Sequence, residues 1–328
     1  MIAVTGANGL LGSYVVRTLH SQKVPFVALK RSTSDTSMLA DLNGAIHWRD
    51  VDVMDYTTVQ EALTDVTGVI HAAAVVSFNP REANHVMRVN VEGTRNLINA
   101  CLTLGIKRLL HVSSVAALGR YKGQRVINEG NQWIDSPWNT NYGESKYQAE
   151  LEVFRGQEEG LSTAIVNPSV ILAPGNWLKS SSKIFKYVWN ERPFYTDGSF
   201  NYVDARDAAL LSVQLFQSHH EGERFILNAG TTSIKEFFDA AAASLGKRAP
   251  YLKVSRKTLN VAAVLDGLRA RIVGAEPLIT KETARLADSF FHYENHKILS
   301  TIRHTFYQLE DTLEWCAEFY RKQMELKN

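Results

Sequence analysis

The sequence predicts an α/β fold built on a doubly wound parallel sheet, and three observations carry that reading. Short apolar runs rich in β-branched residues recur through the first half of the chain, separated by stretches of helical periodicity. A glycine-rich turn, Thr5-Gly6-Ala7-Asn8-Gly9-Leu10-Leu11-Gly12, follows the first run directly. After about Pro168 the rhythm gives way to a loop-rich, aromatic-rich span.

Taken in order, strands are expected at Ile2 to Thr5, Phe26 to Leu29, Ile46 to Trp48, Val69 to His71, Leu109 to Ser113 and Thr163 to Val166. Helices are expected between them at Leu10 to His20, Val59 to Leu63, Val86 to Leu104 and Glu144 to Glu158. Alternation of this kind requires right-handed crossovers and a parallel sheet covered on both faces. The span Ala173 to Tyr202, with Trp177, Phe185, Tyr187, Trp189, Phe194 and Tyr195, opens a second, smaller lobe. Its aromatic content points to a pocket with apolar walls. Ala205 to Phe216 reads as a helix and Arg224 to Asn228 as a strand able to rejoin the sheet, while the remainder is mostly helical and ends in the amphipathic segment Leu309 to Met324.

Composition narrows the function classes. The chain has 328 residues with 36 Lys plus Arg against 34 Asp plus Glu, a net charge of +2 that steers it onto neither nucleic acid nor anionic lipid. Apolar runs fall short of the ~20 residues that cross a bilayer. Cys101 and Cys316 lie far apart with no CxxC, which excludes a disulfide framework and a cysteine-built zinc site, and no metal is expected. With no basic, apolar leader at Met1, a soluble protein of the reducing cytoplasm is expected.

The glycine turn fits a dinucleotide. Gly6 permits the tight turn, Gly9 lets the backbone approach a pyrophosphate, and Gly12 lets the first helix pack closely on the sheet. A diphosphate would then sit on the N–H groups at the helix start. The expected division is therefore a dinucleotide-binding unit over residues 1–172, rejoined by 204–230, and a substrate lobe made of 173–203 and 231–328. At the end of the second strand, where an acid usually meets the ribose 2′-hydroxyl of NAD, the chain has Lys30-Arg31-Ser32. Arg31 can grip a 2′-phosphate with its planar fork and Lys30 can add a point charge, so NADP is expected over NAD.

Asn141-Tyr142-Gly143-Glu144-Ser145-Lys146 opens a helix, and the i,i+4 spacing puts Tyr142 and Lys146 on one face. A free phenol titrates near 10, so making it a base at neutral pH takes roughly 4 kcal/mol of preferential phenolate stabilisation. The Lys146 ammonium is one supplier of that energy. Val112-Ser113-Ser114 lies at the carboxyl end of an expected strand, where a hydroxyl can hold a substrate oxygen, and either serine could serve.

With these marks the sequence resembles the extended short-chain dehydrogenase/reductases, over nearly the whole chain. The glycine turn, the Tyr142–Lys146 pair and the serine are joined in order by Asp52-Val53, His71-Ala72-Ala73-Ala74, Asn90, Asn167-Pro168-Ser169 and Tyr202-Val203-Asp204. The resemblance implies a Rossmann fold, Tyr142 as acid/base, Lys146 binding the ribose and tuning Tyr142, and Ser114 rather than Ser113 orienting the substrate oxygen. It also implies cofactor contacts at Gly6, Asn8, Gly9, Leu10, Leu11, Gly12, Lys30, Arg31, Asp52, Val53, Ala72, Ala73, Ala74, Asn90, Asn167, Pro168 and Val170, besides Tyr142 and Lys146. Asn90 is expected to help hold the active-site helix. A homodimer through Val86 to Leu104 and Glu144 to Glu158 is expected as well, because both carry apolar stripes that the sheet leaves partly uncovered.

Within the family the expected reaction is reduction of a ketone or aldehyde, or the reverse oxidation, on a small-molecule substrate. The alternatives are a nucleotide-sugar epimerase or dehydratase and a non-catalytic NADP-binding sensor. No RPGD-like turn occurs between Gly246 and Ser300, and Pro277-Leu278-Ile279-Thr280 with Phe291 to Leu299 is similar to the tail of the dihydroflavonol reductase and hydroxysteroid dehydrogenase branch. The sensor reading is opposed by the presence of tyrosine, lysine and serine together. His71 and His111, in strands, read as neutral hydrogen-bonded histidines, and His219-His220 as a solvated helix end. Arg120, Lys122 and Arg125 form a basic loop cluster, either solvated or facing an acidic substrate.

Overall fold

The computed structural model describes residues 1–42, 44–273 and 280–325. The chain runs β1 (Ile2–Thr5), α1 (Leu10–Ser21), β2 (Phe26–Lys30), β3 (Trp48–Asp50), α2 (Tyr56–Ala62), β4 (Gly68–His71), α3 (Ala83–Met87), α4 (Gly93–Leu104), β5 (Arg108–Val112), β6 (Val126–Ile127), α5 (Asn141–Glu158) and β7 (Ser162–Pro168). It continues through β8 (Val170–Leu172), α6 (Lys183–Trp189), β9 (Phe194–Tyr195), β10 (Ser199–Asp204), α7 (Ala205–Gln217), β11 (Glu223–Leu227) and β12 (Gly230–Ser233). The last elements are α8 (Ile234–Leu245), β13 (Leu252–Lys253), α9 (Arg256–Val273), α10 (Lys281–Leu286), β14 (His292–Tyr293), α11 (His296–Thr301) and α12 (Leu309–Glu325).

Seven strands form one sheet in the order β11-β7-β5-β4-β1-β2-β3, with every pairing parallel. The chain starts in the middle, winds outward to β3, then crosses back to β4, so the order reverses between β1 and β4. This is the doubly wound Rossmann arrangement, in which ligands bind at the carboxyl edge near the reversal. Strand residues alternate between two cores, as a period of two requires. Val4, Ala28, Ile70 and Leu110 pack with Leu11 and Val15 of α1 and Leu211 and Leu215 of α7. Ala3, Val27, Val69 and Leu109 pack with Val59 of α2, Leu97 and Ile98 of α4 and Val153 of α5. Each fully buried aliphatic side chain of this kind contributes about 1.5–3 kcal/mol.

Two elements differ from the sequence reading. The third strand lies at Trp48–Asp50, shifted toward the polar side of the expected run, because an edge strand needs a partner on one side only and no continuous apolar stretch. Its polar residues are held by charge: Arg49 pairs with Asp65, and Lys30 Nζ lies 2.6 Å from Asp50 Oδ1. The long helix expected from Val86 begins at Ala83 and is interrupted by a π-helical turn over Arg88–Glu92 before α4. The extra residue of that turn brings Asn90 into the interior, at 2% exposure.

The apolar stripe of α4 is consumed by the sheet, since Leu97, Ile98, Ala100 and Cys101 are buried. The outer sides of α4 and α5 instead carry Arg95–Glu152, Arg155–Glu152 and Arg155–Glu159 ion pairs, with Leu151 exposed beside them.

A second lobe contains the three-stranded sheet β12-β10-β8. Its core joins α6, α8 and α12 through Phe185, Phe237, Leu245, Leu313 and Tyr320. Trp177 stacks on Tyr320 with centroids 5.3 Å apart, and Trp189 packs against the same cluster. The aromatic span thus builds the core of this lobe, where composition alone pointed to pocket walls. In the tail, β14 pairs with β6 in parallel and Tyr293 is buried, while 277–279 lie outside the described residues. Among the described residues no helix is long and apolar enough to cross a membrane.

Arg206 ties the lobes' helices together. Its guanidinium lies 3.8 Å from the Tyr307 ring centroid and 3.9 Å from that of Trp315, and it grips Asp204 through Nε and Nη2. Asp204, with no side-chain exposure, also caps α7 and accepts from Thr312 of α12. Arg206→Lys keeps the charge but loses both stacked faces and the planar fork. Its expected effect is a loss of about 1–3 kcal/mol and a melting temperature lowered by several degrees. Thermal unfolding checks this, and an unchanged midpoint would contradict it.

Candidate active site

At the carboxyl end of β1 the backbone of the glycine turn is packed too closely for side chains. Gly6 has φ +62°, and a Cβ there would lie 2.7 Å from Ala73 Cα; a Cβ on Gly12 would lie 2.1 Å from Gly6 O. Gly9 caps α1 without any side-chain bond, so the first N–H groups of the helix stay available beside an exposed glycine. Leu10 opens that turn, half-buried, and Leu11 anchors it in the core. Thr5 binds the neighbouring strand end, with its carbonyl accepting from Ala72 N–H and its Oγ1 from Ala73 N–H, and Ala74 beyond them is exposed. Asn8 Nδ2 donates to Asp35 O at 3.1 Å and closes the loop after β2 over the turn. A Cβ-free cradle on a helix N-terminus fits a dinucleotide pyrophosphate.

Toward the other end, Arg31 is exposed, whereas Lys30 is engaged by Asp50. The sequence reading missed Asp50, because its proximity arises only from β2–β3 register. Asp52 is exposed and its carboxylate caps Met54 N–H, while Val53 packs on Gly93 and its carbonyl accepts from Asn96.

The second group of residues gathers where α5 meets the ends of β5 and β7. Thr140 caps α5 by accepting from Gly143 N–H at 3.0 Å. Gly143 is required by a close approach, since a Cβ would lie 2.7 Å from Ala116 O. That approach sets Tyr142 beside Ser114, which is extended at φ −160° and caps the short turn Val115–Ala117. Ser114 lies near enough to the Tyr142 phenol to offset part of its upward shift, whereas the Ser113 hydroxyl is buried without a partner. The geometry thus favours Ser114 of the two. Phe78 meets the Tyr142 ring edge-on at 5.9 Å.

Lys146 is only 1% exposed, with Nζ donating to Val112 O at 2.8 Å and lying 3.2 Å from His111 Nε2. Burial lowers its ammonium to about 8, with the Glu150 charge opposing the fall. Burial also pushes the Tyr142 phenol up to about 12, countered only by Ser114. The expected tuning of Tyr142 by Lys146 is therefore not what the free protein displays: desolvation dominates, and the ammonium is seated on the strand. Burial holds His71 down to about 3, and burial with the Lys146 charge holds His111 well below its ordinary range, so both are neutral.

The hydroxyls around His71 fix its tautomer. Thr94 Oγ1 donates to Asn90 O at 2.6 Å, so it accepts from His71 Nε2–H, and His71 Nδ1 accepts from Thr5 Oγ1. This chain joins the glycine turn to Asn90. Asn90 in turn clasps both backbone groups of Val75 and donates to Ser145 Oγ, which donates to Tyr142 O. Asn167 Nδ2 donates to Ser114 O at 2.9 Å and to Glu150 Oε1 at 2.6 Å. Pro168 ends β7 opposite Leu227, and Val170 opens β8, half-buried. Arg120 is 5% exposed and engaged within the fold, with Nε donating to Tyr293 OH and Nη1 to Trp138 O.

The sequence reading assigned no part to Ser145, Glu150 or Phe78 and gave His111 no link to Lys146. Helical spacing from Lys146 could have marked Glu150; the others depend on tertiary contacts.

Comparisons with known proteins agree with this geometry. Residues 2–230 match the model of the NAD dependent epimerase/dehydratase family. The chain is similar to sterol demethylase protein B of Methylococcus capsulatus, 29% identical over 273 residues and covering 82% of each chain. It is also similar to a putative dihydroflavonol 4-reductase of Synechocystis, 28% identical over 307 residues that span 91% of this chain and 88% of the relative. Among solved structures, the crystal structure of gox2253 superposes with a TM-score of 0.83 at 29% identity over 98% of both chains. With the glycine turn and the tyrosine–lysine–serine cluster on the same sheet edge, the chain belongs to the NAD dependent epimerase/dehydratase family.

Proposed function

We propose that the protein reduces a ketone or aldehyde on a small molecule, with Tyr142 as the proton donor. The observation that supports this reading is the gathering of Ser114, Tyr142 and Lys146 at the carboxyl edge of the sheet, where burial pushes the Tyr142 phenol up. When bound, a nicotinamide dinucleotide supplies the hydride. Ser114 and Tyr142 then hold the substrate oxygen by hydrogen bonds, and Tyr142 gives it a proton as negative charge develops there. The phenolate left behind lies one helical turn from Lys146 on α5.

The protonation state of the free protein suits the reductive direction. A phenol near 12 is fully protonated at neutral pH and ready to act as an acid. Using it as a base at that pH would require about 7 kcal/mol of added phenolate stabilisation. Loss of the phenolic proton donor should cost ~10²–10⁴ in rate. Tyr142→Phe is therefore expected to lower single-turnover reduction of an accepted carbonyl compound by that factor, while NADPH binding, read by fluorescence, stays close to wild type. Wild-type turnover in this variant would overturn the assignment.

We also propose NADP(H) over NAD(H) as the cofactor. Support comes from Arg31, exposed at the end of β2 beside the glycine turn, with Asp50 held by Lys30. Fluorescence titration is expected to give tighter binding of NADPH than of NADH, and Arg31→Glu to weaken NADPH more than NADH. Tighter NADH binding by the unmodified chain would reverse this part of the reading.

A further inference from the structure

Glu150 stands four residues after Lys146 on α5, fully buried, and takes no part in the chemistry described above. A carboxylate out of reach of water is tolerated only when its oxygens are bonded. Here Oε1 accepts from Asn167 Nδ2 at 2.6 Å and Oε2 from Arg224 Nη1 at 3.2 Å. Arg224 shares its fork with the loop, donating through Nη2 to Glu129 O at 2.7 Å. The guanidinium therefore does not close on the carboxylate bidentately, and part of its donor capacity serves carbonyls.

The groups around Lys146 are otherwise without negative charge. His111 on β5 and His71 on β4 are neutral, and Tyr142 on α5 is a protonated phenol. The ion pairs of Arg95, Glu152, Arg155 and Glu159 lie on the outer side of α4 and α5. Lys146 Nζ itself has two neutral acceptors, Val112 O and His111 Nε2.

We propose that Glu150 is a positioning residue of this site: its carboxylate, fixed between Asn167 and Arg224, is the counter-charge of the buried Lys146 ammonium and holds Asn167 on the carbonyl of Ser114. The inference rests on the reading of Tyr142, Lys146 and Ser114 as the active centre. With Glu150 present, burial still brings Lys146 down to about 8, only a little above neutrality. The two side chains are neighbours at i,i+4 on one helix face, where an opposite charge in a buried setting is worth about one unit of titration, so its loss would leave much of the Lys146 population uncharged at neutral pH.

Two variants break the same ion pair and separate the electrostatic role from a merely structural one. The full chain, labelled with ¹³C-lysine and free of substrate and cofactor, is titrated by NMR, with Lys146→Met to assign the resonance. Glu150→Gln removes the anion, and the Lys146 midpoint is expected to fall by about one unit. Arg224→Gln leaves the anion and removes its competing cation, and the midpoint is expected to rise. Opposite shifts support the proposal; shifts in the same direction, or none, overturn it. If Glu150→Gln does not fold, the Arg224→Gln arm decides alone, a rise supporting and no change or a fall overturning. Because no turnover is read, failure here leaves the Tyr142→Phe test of the proposed reaction untouched.

Discussion

A single constraint organises the site: Lys146 carries a charge into a place that water does not reach. An ammonium in that position must find acceptors and a counter-charge or lose its proton. The fold supplies acceptors from β5, in the Val112 carbonyl and the His111 ring, and an anion from the next turn of α5 in Glu150. Each supplier has its own requirement. His111 must be neutral to accept, which burial ensures, and Glu150 must be bonded at both oxygens, which Asn167 and Arg224 accomplish. The last two residues lie on β7 and β11, so three strands of the sheet are committed to one side chain.

The same contacts position the groups that would handle substrate. Asn167 bridges Glu150 and the Ser114 carbonyl, and Gly143 lets α5 approach the Ala116 carbonyl on the turn that Ser114 caps. A second polar chain runs from Thr5 through His71 and Thr94 to Asn90, and on through Ser145 to the Tyr142 carbonyl. It links the glycine turn to the start of the active-site helix through buried groups. Such networks specify one arrangement because each unpaired member would cost about 1–3 kcal/mol.

Much of this was legible in the sequence wherever the signal is local. The glycine spacing, the strand and helix alternation and the Tyr142–Lys146 interval all express geometry within a few residues. Signals that depend on register or on distant partners were not. The choice between Ser113 and Ser114 turns on which face of a strand end each occupies, and Asp50 meets Lys30 only once β2 and β3 pair. The π-helical turn adds a residue that a 3.6 periodicity does not register, yet it brings Asn90 inward. Aromatic composition between Ala173 and Tyr202 reads alike for a pocket wall and a lobe core, and packing on Tyr320 decides for the core.

The central claim is that the free protein holds Tyr142 as a protonated acid, with the charge of Lys146 engaged by the strand. The direct measurement is the ultraviolet phenolate band as pH rises, taken as the difference between the wild-type chain and Tyr142→Phe. With the phenol pushed up to about 12, the difference signal should be nearly absent at the ordinary tyrosine value of about 10. A Tyr142 phenolate already half formed at or below that value would contradict the account.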